Sequence, residues 1–269
     1  MKDLIKYLLI GITQGISEVL PISSSAHLVL LQSILGVSND NLTLEVFLHL
    51  ASLCAVLYFM RHRLKKLIVG FLKYIIYRKK EDLIEFRYFW YLILSTIPVA
   101  IFTIIFKKYI NIVSNNIMII SLLLITNGLL LMLVTKINGL CTTREITYKD
   151  AFIIGCFECL GVFPGISRSG SCICGGYVRK IDKDVIADYA FLLFIPAVLG
   201  ATILEFDNFW DIMRNNNIII YLVTFIATAV ATYYSFKWFL MVIKKGQIKY
   251  FGYYCIIVGA ISCILSCIL

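Results

Sequence analysis

The run GITQGISEVLPISSSAHLVLL, residues 11–31, places Gln14, Glu18, Ser23, Ser24, Ser25 and His27 inside sequence otherwise apolar enough for a lipid bilayer. Ionisable and strongly polar side chains are costly at membrane depth and occur there chiefly where a site uses them. A carboxylate, three hydroxyls and an imidazole this close together are the raw material of acid–base, nucleophilic or ion-handling chemistry. A second polar island, ECLGVFPGISRSG at 158–170, adds a cation in Arg168. The two islands are expected to meet and form one anion-handling active site.

Working outward, composition sets the solvent. Of 269 residues, 60% are hydrophobic and 15% charged, against roughly 25% charged in soluble domains, and the mean hydropathy is +0.89. The chain is read as an all-α integral membrane protein, a single polytopic domain over 1–269. No separable signal peptide is expected, because MKDLIKYLLIGITQG runs into the first island without a small-residue cleavage site. A net charge of +9 would suggest nucleic acid for a soluble protein. Here Lys and Arg gather between apolar runs, where they orient the chain, and no nucleic-acid partner is expected. Nine cysteines are present; Cys54, Cys255, Cys263 and Cys267 lie within apolar segments. Cys156, Cys159, Cys172 and Cys174 flank the second island but lack a nearby His cluster, so they read as packing residues rather than a thiolate metal site.

In chain order, a moderately apolar helix is expected over 3–13, followed by the first island. Pro21 interrupts it, and Ser23 to Ser25 can cap a second helix running from His27 to Leu35. VSNDNLT at 37–43 closes that unit, and Leu44 to Met60 reads as a span. LIVGFLKYIIY, between basic clusters, is too short to cross and reads as interfacial. Spans follow at 88–106 and 116–135, with a kink at Pro98 and KKYINIVSNN as a connection, then at 185–204, 218–241 and 250–269.

Loops at 61–87, 136–150, 179–184 and 242–249 are rich in Lys and Arg and are assigned to the cytoplasm; those at 107–115 and 205–217 fall outside. This alternation makes both islands re-entrant helix-break-helix hairpins, one over 3–36 entering from outside and one over 150–178 entering from the cytoplasm. About six transmembrane helices complete an inverted-topology repeat, with halves of about 1–135 and 136–269. Setting Gly11, Gln14 and Pro21 against Gly155, Glu158 and Pro164 with one deleted residue supports the repeat.

QGISEVLPISSSAH and PGISRSG resemble the two signature motifs of the undecaprenyl pyrophosphate phosphatase family of the bacitracin-resistance type. That family's first motif is Glu or Gln, three residues, Glu, then a Pro, a serine-rich turn and His, matched here by Gln14, Glu18, Pro21, Ser23 to Ser25 and His27. The second is carried by Pro164, Gly165, Ser167, Arg168, Ser169 and Gly170. Gln14 departs from members whose Glu provides a second carboxylate. The resemblance implies hydrolysis of undecaprenyl diphosphate, dependence on a divalent cation, bacitracin tolerance and residence in the bacterial cell membrane with the site toward the outer face.

The residues suit that chemistry. Phosphate removal needs neutralisation of oxygen charge and an in-line nucleophile. Arg168 has the planar fork for phosphate oxygens, and the small-residue turn through Gly165, Ser167, Ser169 and Gly170 can add donors at a helix N-terminus, with Ser23 and Ser25 as further substrate contacts. Ser24 is read as the nucleophile and His27, three residues on, as its base; the alternative, His27 attacking phosphorus itself, stays open. Glu18, with Gln14, orients His27 or holds a substrate-bridged Mg2+ or Ca2+. Thr13, Ser17, Ser171, His49 and His62 are read as structural, and Glu45 is left outside the site. The competing reading is a secondary transporter or lipid flippase on the same repeat. Besides the polyprenyl diphosphate, membrane lipids are expected as partners, and a homodimer stays open, since it leaves no readable motif.

Overall fold

The structure is a computed structural model that describes residues 2–37, 42–138, 145–204 and 218–268. Every regular element among them is helical: α1 Lys2–Val19, α2 Ser24–Leu35, α3 Leu42–Phe59, α4 Arg61–Tyr77, α5 Leu83–Ser114, α6 Ile117–Asn138, α7 Tyr148–Glu158, α8 Arg168–Val178, α9 Lys183–Leu204, α10 Ile218–Lys244 and α11 Lys249–Ile268. Short 3-10 turns at Lys80–Asp82 and Cys159–Val162 lead into α5 and out of α7. Among the described residues five helices (α5, α6, α9, α10, α11) are long and apolar enough to cross a membrane. The pair α3 and α4, bent by 75°, makes up to six.

Several boundaries move for identifiable reasons. α1 does not stop near residue 13 but runs to Val19, since nothing before Pro21 breaks it and its polar residues find partners along one face. KKYINIVSNN is not an extended connection. α5 continues to Ser114, because Lys107 and Lys108 are good helix formers and the next break is the Asn115–Asn116 pair. Its 32 residues make a rod of roughly 48 Å, longer than the ~30 Å hydrocarbon layer. α4 leaves the line of α3 and keeps Ile68, Leu72, Ile75 and Ile76 exposed, as expected for a helix lying along the interface. The 205–217 loop and most of the 37–43 loop lie outside the described residues.

The helix-break-helix units are each gripped by the other half of the chain: α1 packs along α10, α7 along α5, and α6 runs along α11. Small residues permit these approaches, as they do where lipid offers no hydrophobic drive between helices. A side chain at Gly15 would collide with the Thr228 carbonyl on α10, and one at Gly155 with the Ser95 carbonyl on α5. Thr224, Thr228 and Thr232 line the α10 side of the first crossing fully buried, each hydroxyl returned to the carbonyl four residues back.

Candidate active site

Both breaks carry matching serine caps. ISSS at 22–25 and ISRS at 166–169 occupy corresponding turns. Ser23 caps α2, accepting from the Ala26 N–H at 3.4 Å, and Ser167 caps α8, accepting from the Gly170 N–H at 3.1 Å. Each cap pairs with the serine two positions on, Ser25 at 3.4 Å and Ser169 at 3.1 Å. Ser24 and Arg168 therefore both sit at the first position of a helix. Ser23 holds φ 67° and Gly165 φ 111°. The second suits glycine; the first is a strained backbone of the kind found at functional turns.

The two breaks are joined directly. The Ser23 hydroxyl accepts from the Gly165 N–H at 3.1 Å. Asn127, buried on α6, donates from Nδ2 to the Pro21 carbonyl at 3.0 Å and accepts at Oδ1 from the Ser167 N–H at 3.0 Å. One amide thus ties the first hairpin tip to the second.

Around this junction lies a cavity of about 380 Å3. Its polar end carries Glu18, Ser23, Ser24, Ser25 and His49 from the first half and Glu158, Ser167, Arg168 and Ser169 from the second. Its other walls are a face of α5 (Thr96, Val99, Ala100, Thr103) and a face of α9 (Phe194, Ala197, Gly200, Ala201). A Cβ added at Gly200 would meet open space.

Within the polar end, an Arg168 guanidinium nitrogen stands 3.8 Å from Glu18 Oε1, and the guanidinium lies 5.4 Å over the Phe194 ring. Ser24 lines the same cavity beside Glu18. Gln14, wholly buried, donates through Nε2 to Glu18 Oε2 and to His49 Nδ1, both at 2.8 Å. The other ring nitrogen, His49 Nε2, faces Glu18 Oε2 at 3.8 Å. His49 thus belongs to the cavity rather than to the general packing where sequence reading put it. A lone His in an apolar span carries no local mark of such a role. Asn127 and Glu158 were also outside the sequence-derived site.

His27 is placed differently from expectation. It is not among the residues lining the cavity. Nδ1 donates to the Ser23 carbonyl at 2.8 Å, Nε2 accepts from the Tyr254 hydroxyl at 2.9 Å, and the ring stacks on Tyr254 at 5.5 Å. It braces the strained Ser23 turn, while Glu18 is the group beside Ser24. Gly165 and Gly170 are buried in the second turn, where their N–H groups meet Ser23 and Ser167. They shape the site and leave the cavity wall to Ser167, Arg168 and Ser169.

Among the described residues no group of three or more His, Cys, Asp or Glu side chains converges as a protein-only metal cage. The oxygens present nonetheless fit a hard cation shared with substrate. Glu18 faces the cavity, and the neighbouring Gln14 Oε1 is buried with no hydrogen-bond partner among the described residues.

Comparison with known proteins gives a consistent picture. The family model for "Bacitracin resistance protein BacA" matches residues 7–261. Undecaprenyl-diphosphatase 2 of Bacillus thuringiensis (strain Al Hakam) is 36% identical over 265 residues, covering 97% of each chain. Undecaprenyl-diphosphatase of Oceanobacillus iheyensis is 35% identical over 264 residues, 96% of this chain and 95% of its own. With two motif-bearing breaks clasped around one cavity and matches running almost end to end, the chain belongs to the BacA bacitracin resistance protein family.

Proposed function

We propose that this chain is a membrane phosphatase that hydrolyses undecaprenyl diphosphate to undecaprenyl phosphate and inorganic phosphate, returning the lipid carrier to cell-wall synthesis and conferring bacitracin tolerance. The observation that carries this reading is the meeting of Ser24, Glu18 and Arg168 at the polar end of a cavity whose remaining walls, on α5 and α9, are mostly apolar. A diphosphate head entering that end leaves its isoprenoid tail against Ala100, Ala197 and Gly200, and this division of polar and apolar walls suits an amphipathic lipid.

In this reading Arg168 holds the non-bridging oxygens of the terminal phosphate in its planar fork. The Ser24 Oγ attacks that phosphorus while its proton passes to the Glu18 carboxylate. The bond from phosphorus to the bridging oxygen breaks, and its electron pair leaves with the lipid monophosphate. Water then attacks the phosphoserine phosphorus and the bond from phosphorus to Ser24 Oγ breaks; one water proton moves to a non-bridging phosphate oxygen, and the Glu18 proton goes to the Oγ that leaves with the electron pair. Because both His27 nitrogens are engaged away from the cavity, Ser24 is favoured over His27 as the nucleophile and Glu18 over His27 as the base. Glu18 with Gln14 would hold a Mg2+ or Ca2+ shared with substrate, which when bound offsets charge on the diphosphate oxygens.

The two breaks, with their exchanged packing partners, support an inverted repeat with hairpins entering from opposite faces. The distribution of Lys and Arg is compatible with a multi-pass protein of the bacterial cell membrane whose site serves the outer face. The test is phosphate release from undecaprenyl diphosphate by detergent-purified protein, with and without chelator. Release that the chelator suppresses is expected. Absence of release from well-folded protein, together with movement of the lipid across vesicles, would favour the transporter reading instead.

A further inference from the structure

Glu158 ends α7, only 2% exposed, and lines the cavity with Glu18 and Arg168. Its Oε2 has no hydrogen-bond partner among the described residues. An uncompensated carboxylate oxygen is costly to bury and persists where something else uses it. Arg168 does not account for it. That side chain stands 3.8 Å from Glu18, whereas no ion pair within bonding distance joins it to Glu158, which it reaches only through the longer-range field.

The register of the two breaks says what Glu158 corresponds to. Gln14 precedes the cap Ser23 by the same interval by which Glu158 precedes the cap Ser167, so the two are counterparts in the two halves. Gln14 spends its amide nitrogen on Glu18 and His49 and brings no charge. The first hairpin therefore offers one carboxylate, and the second offers the other. Two carboxylates against one guanidinium leave the polar end without the net positive charge that a diphosphate requires. A hard divalent cation arriving with the diphosphate restores the balance and is held by carboxylate oxygens together with phosphate oxygens.

We infer that Glu158 is the second carboxylate of this site, an oxygen donor toward the divalent cation that accompanies the diphosphate, supplying the charge that Gln14 does not bring. The inference rests on the phosphatase reading above for its substrate. It is tested on the full-length protein in detergent by Mn2+ electron paramagnetic resonance, with Mn2+ alone and with Mn2+ plus methylenediphosphonate as a non-hydrolysable head group. Wild type, Glu158→Gln, Glu158→Asp and the exchange Gln14→Glu with Glu158→Gln are compared, each checked for folding by its melting curve.

Wild type is expected to bind Mn2+ more tightly with methylenediphosphonate present. Glu158→Gln should weaken that binding by about tenfold or more and raise, by a similar factor, the Mg2+ concentration for half-maximal phosphate release. Glu158→Asp and the exchanged pair should recover much of the binding. Unchanged Mn2+ binding in folded Glu158→Gln, or no Mn2+ binding by wild type in either condition, overturns the inference. Mn2+ binding that depends on Glu158 in a protein that releases no phosphate would sustain the cation site and defeat the phosphatase reading.

Discussion

The hydroxyl of Ser23 accepts the backbone N–H of Gly165 at 3.1 Å, across 142 residues of chain, and so one hairpin tip is built partly from the other. The same oxygen caps α2 through Ala26. Ser23→Ala strips a partner from two buried N–H groups, a loss of about 1–3 kcal/mol for each buried group left unsatisfied. The melting temperature of the purified protein should fall by several degrees, and phosphate release should fall with it even though Ser24 is intact.

Asn127 makes the same junction from a third helix, donating to Pro21 and accepting from Ser167. Asn127→Leu, near-isosteric but apolar, removes these two bonds together with the donation to Cys255 Sγ and should cost about 2–4 kcal/mol on the same reasoning. Asn127→Asp keeps an acceptor for Ser167 but no donor for Pro21, so it should fall between the two in thermal melting. Equal melting of all three proteins would mean that the junction contributes nothing to holding the tips together.

The open space at Gly200 bears on substrate length. Gly200→Trp should fill the apolar part of the cavity and raise KM for undecaprenyl diphosphate by about tenfold, corresponding to roughly 1.4 kcal/mol. A short-chain diphosphate, with no tail to place there, should be hydrolysed nearly as by wild type. If both substrates suffer alike, the tail does not run between α5 and α9.

His27 and Tyr254 share one hydrogen bond, at 2.9 Å, and should behave as one positioning unit. Tyr254→Phe and His27→Ala should each lower kcat by less than Ser24→Ala does, and the double variant should lose less than the two losses combined. A kcat for His27→Ala as low as that for Ser24→Ala, with Tyr254→Phe unaffected, would restore His27 to a direct chemical role.

The extent to which this architecture could be read from sequence follows from how local each signal is. Pro21, Pro164 and the serine caps interrupt and restart helices through their own backbone chemistry, so both breaks were visible in single stretches. The cavity ends of Ser24, Glu18 and Arg168 stood out because charge within apolar sequence is conspicuous. His49, Asn127 and Glu158 were not assigned roles, since each is a single polar residue on a helix whose partners lie far along the chain. The partners of His27 escape the local pattern for a related reason. Helical spacing puts it near Ser24, but Tyr254, 227 residues away, takes its outer nitrogen. The extra length of α5 was missed because Lys107 and Lys108 look like loop charges, although neither interrupts a helix.

The central claim is that Ser24 on one hairpin and Arg168 on the other serve one reaction. The most direct measurement compares kcat/KM for phosphate release from undecaprenyl diphosphate by wild type, Ser24→Ala, Arg168→Ala and the double variant, all folded by melting curve and saturated with Mg2+. Each single variant should lose about a hundredfold or more, on the order of 2.7 kcal/mol of transition-state stabilisation, and the double variant should lose far less than the product. Near-wild-type rates for either single variant, or fully multiplicative losses, would contradict a shared site.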